Sequence, residues 1–527
     1  MSETSRRDLL KIAGLAGVAA LAGCKSTPQS SGAESASSAG QPSVPGQGHW
    51  DAPPQQSGNQ LNLIVLVSDT FRADNLEAYD SHWVETPYLN QFARESIVFE
   101  DFYPEGLPTI PLRRQLYTGR RIFPTHFYFQ QDSVKIPGWH ELFLEDVTLA
   151  ETLEAAGYAT ALIADLPHLF KPGRNFHRGF GSYEWIRGQE IDFYTLAPRN
   201  CPDFSGLYPA EYLQQVAAAS GSAANNSAFL NFLNQYEANR KQWLKRAPSI
   251  VEATATTAID WLKQNHDQAP FYLQVEAFDP HEPWDPPEPF LAKYLKKKTA
   301  HSWPEPPYLN VKVPDEGVER LRANYAGEAS NVDYWYGKVL ATIQELGLYD
   351  NSVIVFLSDH GALLNEQGQW VKGPEKLRKQ VTHVPLLVHV PDRSFAGKRI
   401  SGFAQTADVV PTVLGRLNIK PSQRVTGEDL WPYVTGEKTN RRESVVSSYG
   451  YIASVRTHEW NYSAIWDKSK YQGKYAPQLY DRKRDPDELS TVADANPKVV
   501  ADLQAKLDQY LESGRDLTNG TFSKELF

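Results

Sequence analysis

Three short stretches of this chain put metal-binding or acid–base residues directly after apolar runs. Asp69 follows 61-LNLIVLV-67, Asp279-Pro280-His281 follows 271-FYLQV-275, and Asp359-His360 follows 353-VIVFL-357. Asp69, Asp359 and His360 are two carboxylates and an imidazole, a set able to share one divalent ion. Adjacent Asp and His on a loop can point at one ion, because a loop is free of strand alternation. One such turn alone would be ordinary, since Asp is common in loops and helix caps. Three strands delivering acid or histidine mark a site hypothesis, because open parallel sheets bind ligands outside the carboxyl ends of their strands.

A fourth stretch, 106-GLPTIPLRRQLYTGRR-121, supplies a candidate nucleophile. A free threonine hydroxyl is a poor nucleophile near neutral pH, but a bound divalent ion makes its proton far easier to lose. Pro111 suits the first turn of a helix that continues through 112-LRRQLYTG-119. Thr109 then stands at a helix N-terminus, where exposed N–H groups favour an anion. Arg113, one turn on, is placed to hold a tetrahedral anion or the nucleophile. On this segment alone, a Thr109 that merely caps the helix is an equal reading.

The elements that must position these residues alternate short apolar runs with longer amphipathic ones. That pattern predicts an α/β fold with a large, mostly parallel mixed sheet flanked by helices. The clearest strands are the three above and 159-ATALIA-164; the clearest helices lie near 148–157, 250–265 and 328–347. Residues 187–246 are less regular and read as an insertion, a lid or substrate wall, within a catalytic domain of 59–440. Beyond it, 441–527 reads as a small C-terminal α+β subdomain: strands over 444–457 and 459–466, a turn over 477–490, and a closing helix over 497–514.

With 527 residues and 41 % apolar content, the chain can bury a large core. A net charge of −10 without a long basic block argues against a nucleic-acid partner. Arg6-Arg7 precede a weak apolar stretch ending in Leu21-Ala22-Gly23-Cys24, so 1–24 resembles a twin-arginine export signal with a lipoprotein cleavage box. Cys24 is then the lipidated N-terminus, and 25–58, rich in Ser, Gly, Gln, Pro and Ala, is a flexible tether. The expected location is the periplasm or cell surface, with the membrane engaged through the lipid alone. Cys201 is left without a disulfide partner.

From about Gln60 to Asp487 the chain resembles the sulfatase family of the alkaline phosphatase superfamily. Thr109-Ile110-Pro111-Leu112-Arg113 and Thr118-Gly119-Arg120 fall on the family's Cys/Ser-x-Pro-x-Arg and Thr-Gly-Arg signature. The opening 67-VSDTFRADNLEAYD-80 looks like the first metal strand, and 355-VFLSDHGALLNEQGQWVKG-373 like the second metal motif followed by the anion-binding lysine, here Lys372. Further likenesses are 86-TPYLNQFA-93, 407-ADVVPTVLGRLNI-419 and 478-QLYDRKRDP-486. Asp279-Pro280-His281 resembles the histidine motif that contacts the transferred group.

The resemblance implies an alkaline-phosphatase-like fold and metal-dependent hydrolysis of an anionic ester, small molecule or glycan. Asp69, Asp359, His360 and Thr109 would hold the ion. Arg113, His281 and Lys372 would bind the anion, and a nearby histidine, His281 or His168, would protonate the leaving group. Lys372 looks like the fixed charge that replaces a second ion, so one metal is expected. In two-metal relatives Asp279, His281 and His383 would form a further ligand set; His383 otherwise contacts substrate or is a hydrogen-bonded histidine at a strand start.

The departures carry information. In sulfatases the first motif residue, Cys or Ser, is oxidised to formylglycine. Thr109 does not fit that conversion, so no formylglycine is expected. An unmodified threonine, and the replacements at Asp69-Thr70 and Asp359-His360, resemble hydrolases of phosphate diesters and phosphonates, which implies direct attack by Thr109. An imidazole and fewer oxygens favour zinc or manganese, with calcium or magnesium as alternatives. Asp165 stands where many sulfatases have lysine. Sulfate and phosphate esters both stay open. So do a phosphoryl transferase working through phosphothreonine and an inactive binder of sulfated glycans.

Overall fold

The computed structural model describes residues 60–519, apart from 129–133, 172, 191, 200–202, 221–227, 269 and 422–424. The export signal, Cys24, the tether and Cys201 lie outside the described residues. Among the described residues no helix is long and apolar enough to cross a membrane.

The first strands are β1 (Asn62–Ser68), β2 (Ile97–Tyr103), β3 (Gly106–Leu107), β4 (Ala159–Ala164), β5 (Ser182–Trp185), β6 (Phe271–Ala277) and β7 (Ser352–Ser358). They are followed by β8 (Leu363–Glu366), β9 (Gln369–Val371), β10 (Leu386–His389) and β11 (Arg399–Gln405). The last four are β12 (Ser444–Tyr449), β13 (Ile452–Thr457), β14 (Trp460–Ile465) and β15 (Gln478–Asp481). The main sheet runs β11-β2-β10-β7-β1-β6-β4-β5, and β10 alone is antiparallel to its neighbours.

The central strands β1, β6 and β7 are buried along their whole length, as expected of parallel strands covered on both faces. Alternate residues feed two cores. Leu63, Val65, Val67, Val353 and Val355 pack with Ile110, Leu116 and Val413 from helices on one side. Ile64, Leu66, Ile354 and Phe356 pack with Leu89, Ala255 and Tyr336 on the other. Burying these side chains supplies the main stabilisation, about 1.5–3 kcal/mol for each large aliphatic one.

Some elements differ from expectation. The helix expected over 328–347 begins earlier and spans Asp315–Glu345. Gly317 and Gly327 weaken its sequence signal, but a Cβ there would come within 2.9 Å of Trp303 and 2.8 Å of Pro286, so close packing explains both. Residues 444–457 form a hairpin, β12–β13, instead of one strand. The stretch 477–490 contains a strand, β15, as well as a turn. Within 187–246, Ala210–Ala219 and Ala228–Trp243 are helices.

The second sheet, β15-β14-β13-β12-β3, ends on a segment of the first half of the chain. β3 pairs with β12 in the register Ser448↔Gly106 and Tyr449↔Leu107. That pairing fixes the backbone two residues before Thr109. The C-terminal helix closes this sheet through Leu503 and Leu507.

Candidate active site

Neighbouring parallel strands bring the predicted residues to one edge. β1 pairs with β6 and β7 so that Ser68 lies opposite both Ala277 and Ser358. The residues that follow, including Asp69, Asp279 and Asp359, therefore leave the sheet at one level. β4 runs parallel beside β6, with Ala164 opposite Glu276, and adds Asp165 to the same edge.

Asp69, Asp359 and His360 meet there, each fully buried, with one potential ligand atom apiece inside 4.8 Å. The local backbone is shaped to hold them. Thr70 takes a left-handed conformation, φ 61°, which a β-branched residue rarely adopts. In that conformation its N–H donates to Asp359 Oδ1 at 2.9 Å and its hydroxyl donates to Asp69 Oδ1 at 2.8 Å. His360 N donates to Asp359 Oδ1 at 2.7 Å.

The His360 Nδ1 lies 3.2 Å from the Gly361 carbonyl, which assigns the ring proton to Nδ1 and leaves a lone pair on Nε2. Nε2 sits 3.6 Å from Asp359 Oδ2 and 3.8 Å from Asp69 Oδ1 and has no hydrogen-bond partner. Asp69 Oδ2 is likewise buried without one. Burial lowers the His360 pKa to about 3, so the ring is neutral. Burial and the adjacent Asp359 push the Asp69 carboxyl well up, while Arg113, against the cost of burial, holds Asp359 below the ordinary range. Acceptors this deeply buried without a hydrogen bond are costly. A neutral imidazole and two carboxylates with unused lone pairs fit a divalent cation.

Arg113 balances the charge. Its Nη1 contacts Asp359 and lies 3.2 Å from Asp69 Oδ2, and its Nε donates to Glu276 Oε2 at 2.9 Å. Glu276, on β6, also accepts from Tyr117 at 2.8 Å. Burial opposes the guanidinium charge, but Asp359, Glu276 and Asp69 outweigh it and raise the Arg113 pKa. Arg113 Nη2 has no hydrogen-bond partner.

Thr109 is the first residue of the helix Thr109–Thr118 and is buried. Pro108 occupies the cap position and no side chain caps this end. The capping role for Thr109 is therefore not what the fold uses. Thr109 and Arg113 are four apart, on one helix face.

A second group adjoins the first. Lys372 Nζ lies 2.7 Å from His281 Nε2, 2.9 Å from Glu282 Oε1 and 3.0 Å from the Tyr308 hydroxyl. His281 Nδ1 donates to the Glu282 carbonyl at 2.6 Å, so Nε2 accepts from the ammonium. Burial lowers the His281 pKa to about 4, with Lys372 adding to the effect. Burial opposes the Lys372 charge, yet Glu282 and Asp69 raise its pKa.

His168 lies in the short helix Pro167–Phe170, with Nε2 3.1 Å from Glu190 Oε2 and Nδ1 3.2 Å from Lys171 Nζ. Its ring and that of His281 both contact Phe278, at 6.2 and 4.0 Å between centroids. His383 is not brought into these groups. Its Nε2 is 2.7 Å from the Glu100 carbonyl, and its ring packs on Tyr103 and Tyr79. The contacts are those of a hydrogen-bonded histidine at a strand start. Asp165 accepts from Phe278 N at 2.6 Å and from Thr254 Oγ1 at 3.1 Å, so it supports the loop that carries His281.

Sequence reasoning missed Glu276, Glu282, Glu190 and Tyr308. Glu282 stands directly after His281 and could have been paired with Lys372. Glu276 is hidden inside an apolar strand.

The sulfatase family profile matches residues 61–419, and that of the N-sulphoglucosamine sulphohydrolase C-terminal region matches 376–516. The chain is 27 % identical over 473 residues to arylsulfatase K of Xenopus laevis, covering 85 % of this chain and 81 % of that protein. It is 22 % identical over 463 residues to an arylsulfatase of Clostridium perfringens, covering 82 % and 90 %. Among solved structures, the phosphonate monoester hydrolase of Agrobacterium radiobacter superposes with a TM-score of 0.61 at 19 % identity, covering 86 % of this chain and 96 % of that one. With an alkaline-phosphatase-like sheet, an acid–histidine cluster at its strand edge and a family match over most of its length, the chain belongs to the sulfatase family of ester hydrolases.

Proposed function

We propose that this protein hydrolyses a sulfate, phosphate-diester or phosphonate ester by in-line attack of Thr109, assisted by one divalent ion on Asp69, Asp359 and His360. The observation that carries the proposal is the pair of buried atoms without a hydrogen-bond partner, His360 Nε2 and Asp69 Oδ2, in a cluster that Arg113 contacts from the helix whose first residue is the buried Thr109. When bound, such an ion makes a hydroxyl easier to deprotonate and offsets charge on the transferred group.

The chain supplies the rest. Thr109 gives up its hydroxyl proton to solvent, and its Oγ forms a bond to sulfur or phosphorus as the bond to the leaving oxygen breaks. Arg113, fixed by three carboxylates, holds positive charge one turn along the helix from the nucleophile. The Lys372–His281 pair binds the anion's oxygens, and that pair or His168 gives the leaving oxygen its proton. Water then attacks the sulfur or phosphorus and releases Thr109. That second attack is where threonine differs from a formylglycine hydrate, which can expel its ester by reforming an aldehyde. The difference favours phosphorus, for which hydrolysis of a threonine ester is the direct route.

Metal analysis, with aryl sulfate, phosphate monoester, phosphate diester and phosphonate ester as substrates, tests this reading. About one equivalent of zinc or manganese, with turnover of at least one ester that a chelator removes, is expected. No metal and no turnover would favour the binding-protein alternative. We also infer export and lipid anchoring from Arg6-Arg7 and Leu21–Cys24. Lipid labelling of the wild type that persists in Cys24→Ala would overturn that inference.

A further inference from the structure

Beside His281 and Lys372 lies a cavity of about 360 Å³ whose chemistry does not match an anion. Glu190, Glu282 and Glu305 line it, together with Phe229, Phe232 and Tyr308. Glu282 is 2 % exposed and Glu305 is 5 % exposed, and the Oε2 of each has no hydrogen-bond partner. A carboxylate oxygen buried without a hydrogen bond, on a residue that lines a cavity, is a costly arrangement that a cationic ligand relieves. Aromatic faces beside it favour the same kind of ligand.

We propose that this cavity receives an ammonium group carried by the substrate, primary or quaternary, so that the preferred ester is zwitterionic. This extends the ester-hydrolase reading and rests on it for the anionic half. Lys372 marks the boundary. Its Nζ contacts Glu282, Tyr308 and His281, all of which line the cavity, and of these His281 is the one the proposed chemistry assigns to the anion. The transferred anion then sits on the Lys372–His281 side and the cation on the Glu305 side.

A second metal ion fits less well. Among the described residues, the one group whose ligand atoms converge within 4.8 Å is Asp69, Asp359 and His360. The three glutamates do not form such a group, and the apolar wall leaves room for more than an ion. Burial, with Glu282 and Glu190 beside it, pushes the Glu305 carboxyl well above its ordinary range. An ammonium seated against it offsets that penalty.

The test uses the full chain, matched esters and a bare cation. One ester carries a 2-(trimethylammonio)ethyl group and the other its uncharged 3,3-dimethylbutyl isostere, each as the sulfate and as the phenyl phosphate diester. Tetramethylammonium binding is followed separately by calorimetry. Wild type is expected to prefer the cationic ester by about 10- to 100-fold in kcat/KM, the range of one charged contact. Glu305→Gln is expected to bring the ratio close to one and to abolish tetramethylammonium binding, while Glu305→Asp keeps both. Should Glu305→Gln fail to fold, Phe232→Ala is expected to lower the same ratio. A ratio near one in wild type with no tetramethylammonium binding would overturn the proposal. So would displacement of tetramethylammonium by equimolar magnesium or manganese, which would make the cavity a metal site. Tetramethylammonium binding that depends on Glu305, with no turnover of any ester, would uphold the cavity and refute the hydrolase reading instead.

Discussion

Two clusters of charge are sealed inside this protein, and they are built on opposite terms. In the C-terminal part, Glu488 accepts from Arg456 through both oxygens, and its Oε2 also accepts from Asn461 at 2.8 Å and from Lys379 N at 2.9 Å. Both carboxylate oxygens are satisfied. At the sheet edge, Asp69, Asp359, His360 and Arg113 are buried just as deeply, yet Asp69 Oδ2, His360 Nε2 and Arg113 Nη2 lack hydrogen-bond partners. Burial of charge alone therefore does not mark a functional site. What separates the sheet-edge cluster is that its unspent atoms sit among potential ligand atoms converging within 4.8 Å, a set that a bound cation would complete.

The comparison is tested most severely at the unsatisfied cluster. Asp359→Asn removes one proposed ligand and a close partner of Arg113. Enzyme kinetics should show kcat/KM down by about 10³-fold, on the scale of losing one major electrostatic contact. Denaturant unfolding of the metal-free protein should show a smaller stability loss than a break in the Glu488 cluster, because relief of the Asp69–Asp359 repulsion offsets the lost bonds. A larger loss would mean that the sheet-edge cluster is structural after all.

Glu488→Gln is the converse change. Removing one partner of a fully buried pair costs about 3–5 kcal/mol, read as a shift in the unfolding midpoint, while kcat/KM of the folded enzyme changes little. The pH dependence carries a defined sign. Burial opposes the Glu488 charge, but Arg456 outweighs it and the folded pKa is lowered. The stabilisation is thus present above the unfolded value of about 4.3 and is lost as pH falls through the folded pKa. Wild type should lose stability below about pH 4.3, and Glu488→Gln should show a flatter acid limb. Parallel acid limbs would remove Glu488 from the account.

How much of this was legible in the sequence follows from where each residue sits. Asp69, Asp359 and His360 were legible because uninterrupted apolar strands end on them, and a parallel sheet turns that repetition into proximity. Asp165 ends a fourth such strand, but its role as a loop support depends on Phe278 N and Thr254, which only tertiary structure brings near. Glu276 was hidden because one acid within a buried strand resembles ordinary alternation. Glu305 lies in 302-SWPEPPY-308, where prolines erase any periodic signal. His383 looked functional by residue type, and the Glu100 carbonyl accounts for it. The start of the helix Asp315–Glu345 was obscured by two glycines whose reason is contact with Trp303 and Pro286. The pairing of β3 with β12, which steadies the turn before Thr109, spans too much sequence for local pattern to show.

The central claim is that Thr109 itself bonds to the transferred group. Acid quenching during turnover, followed by mass spectrometry of the peptide containing residues 106–113, tests it directly. A phosphoryl, phosphonyl or sulfo group on Thr109 in wild type, with loss of both adduct and turnover in Thr109→Ala, is the predicted result. Full turnover in Thr109→Ala, with no adduct on the wild-type peptide, would contradict it.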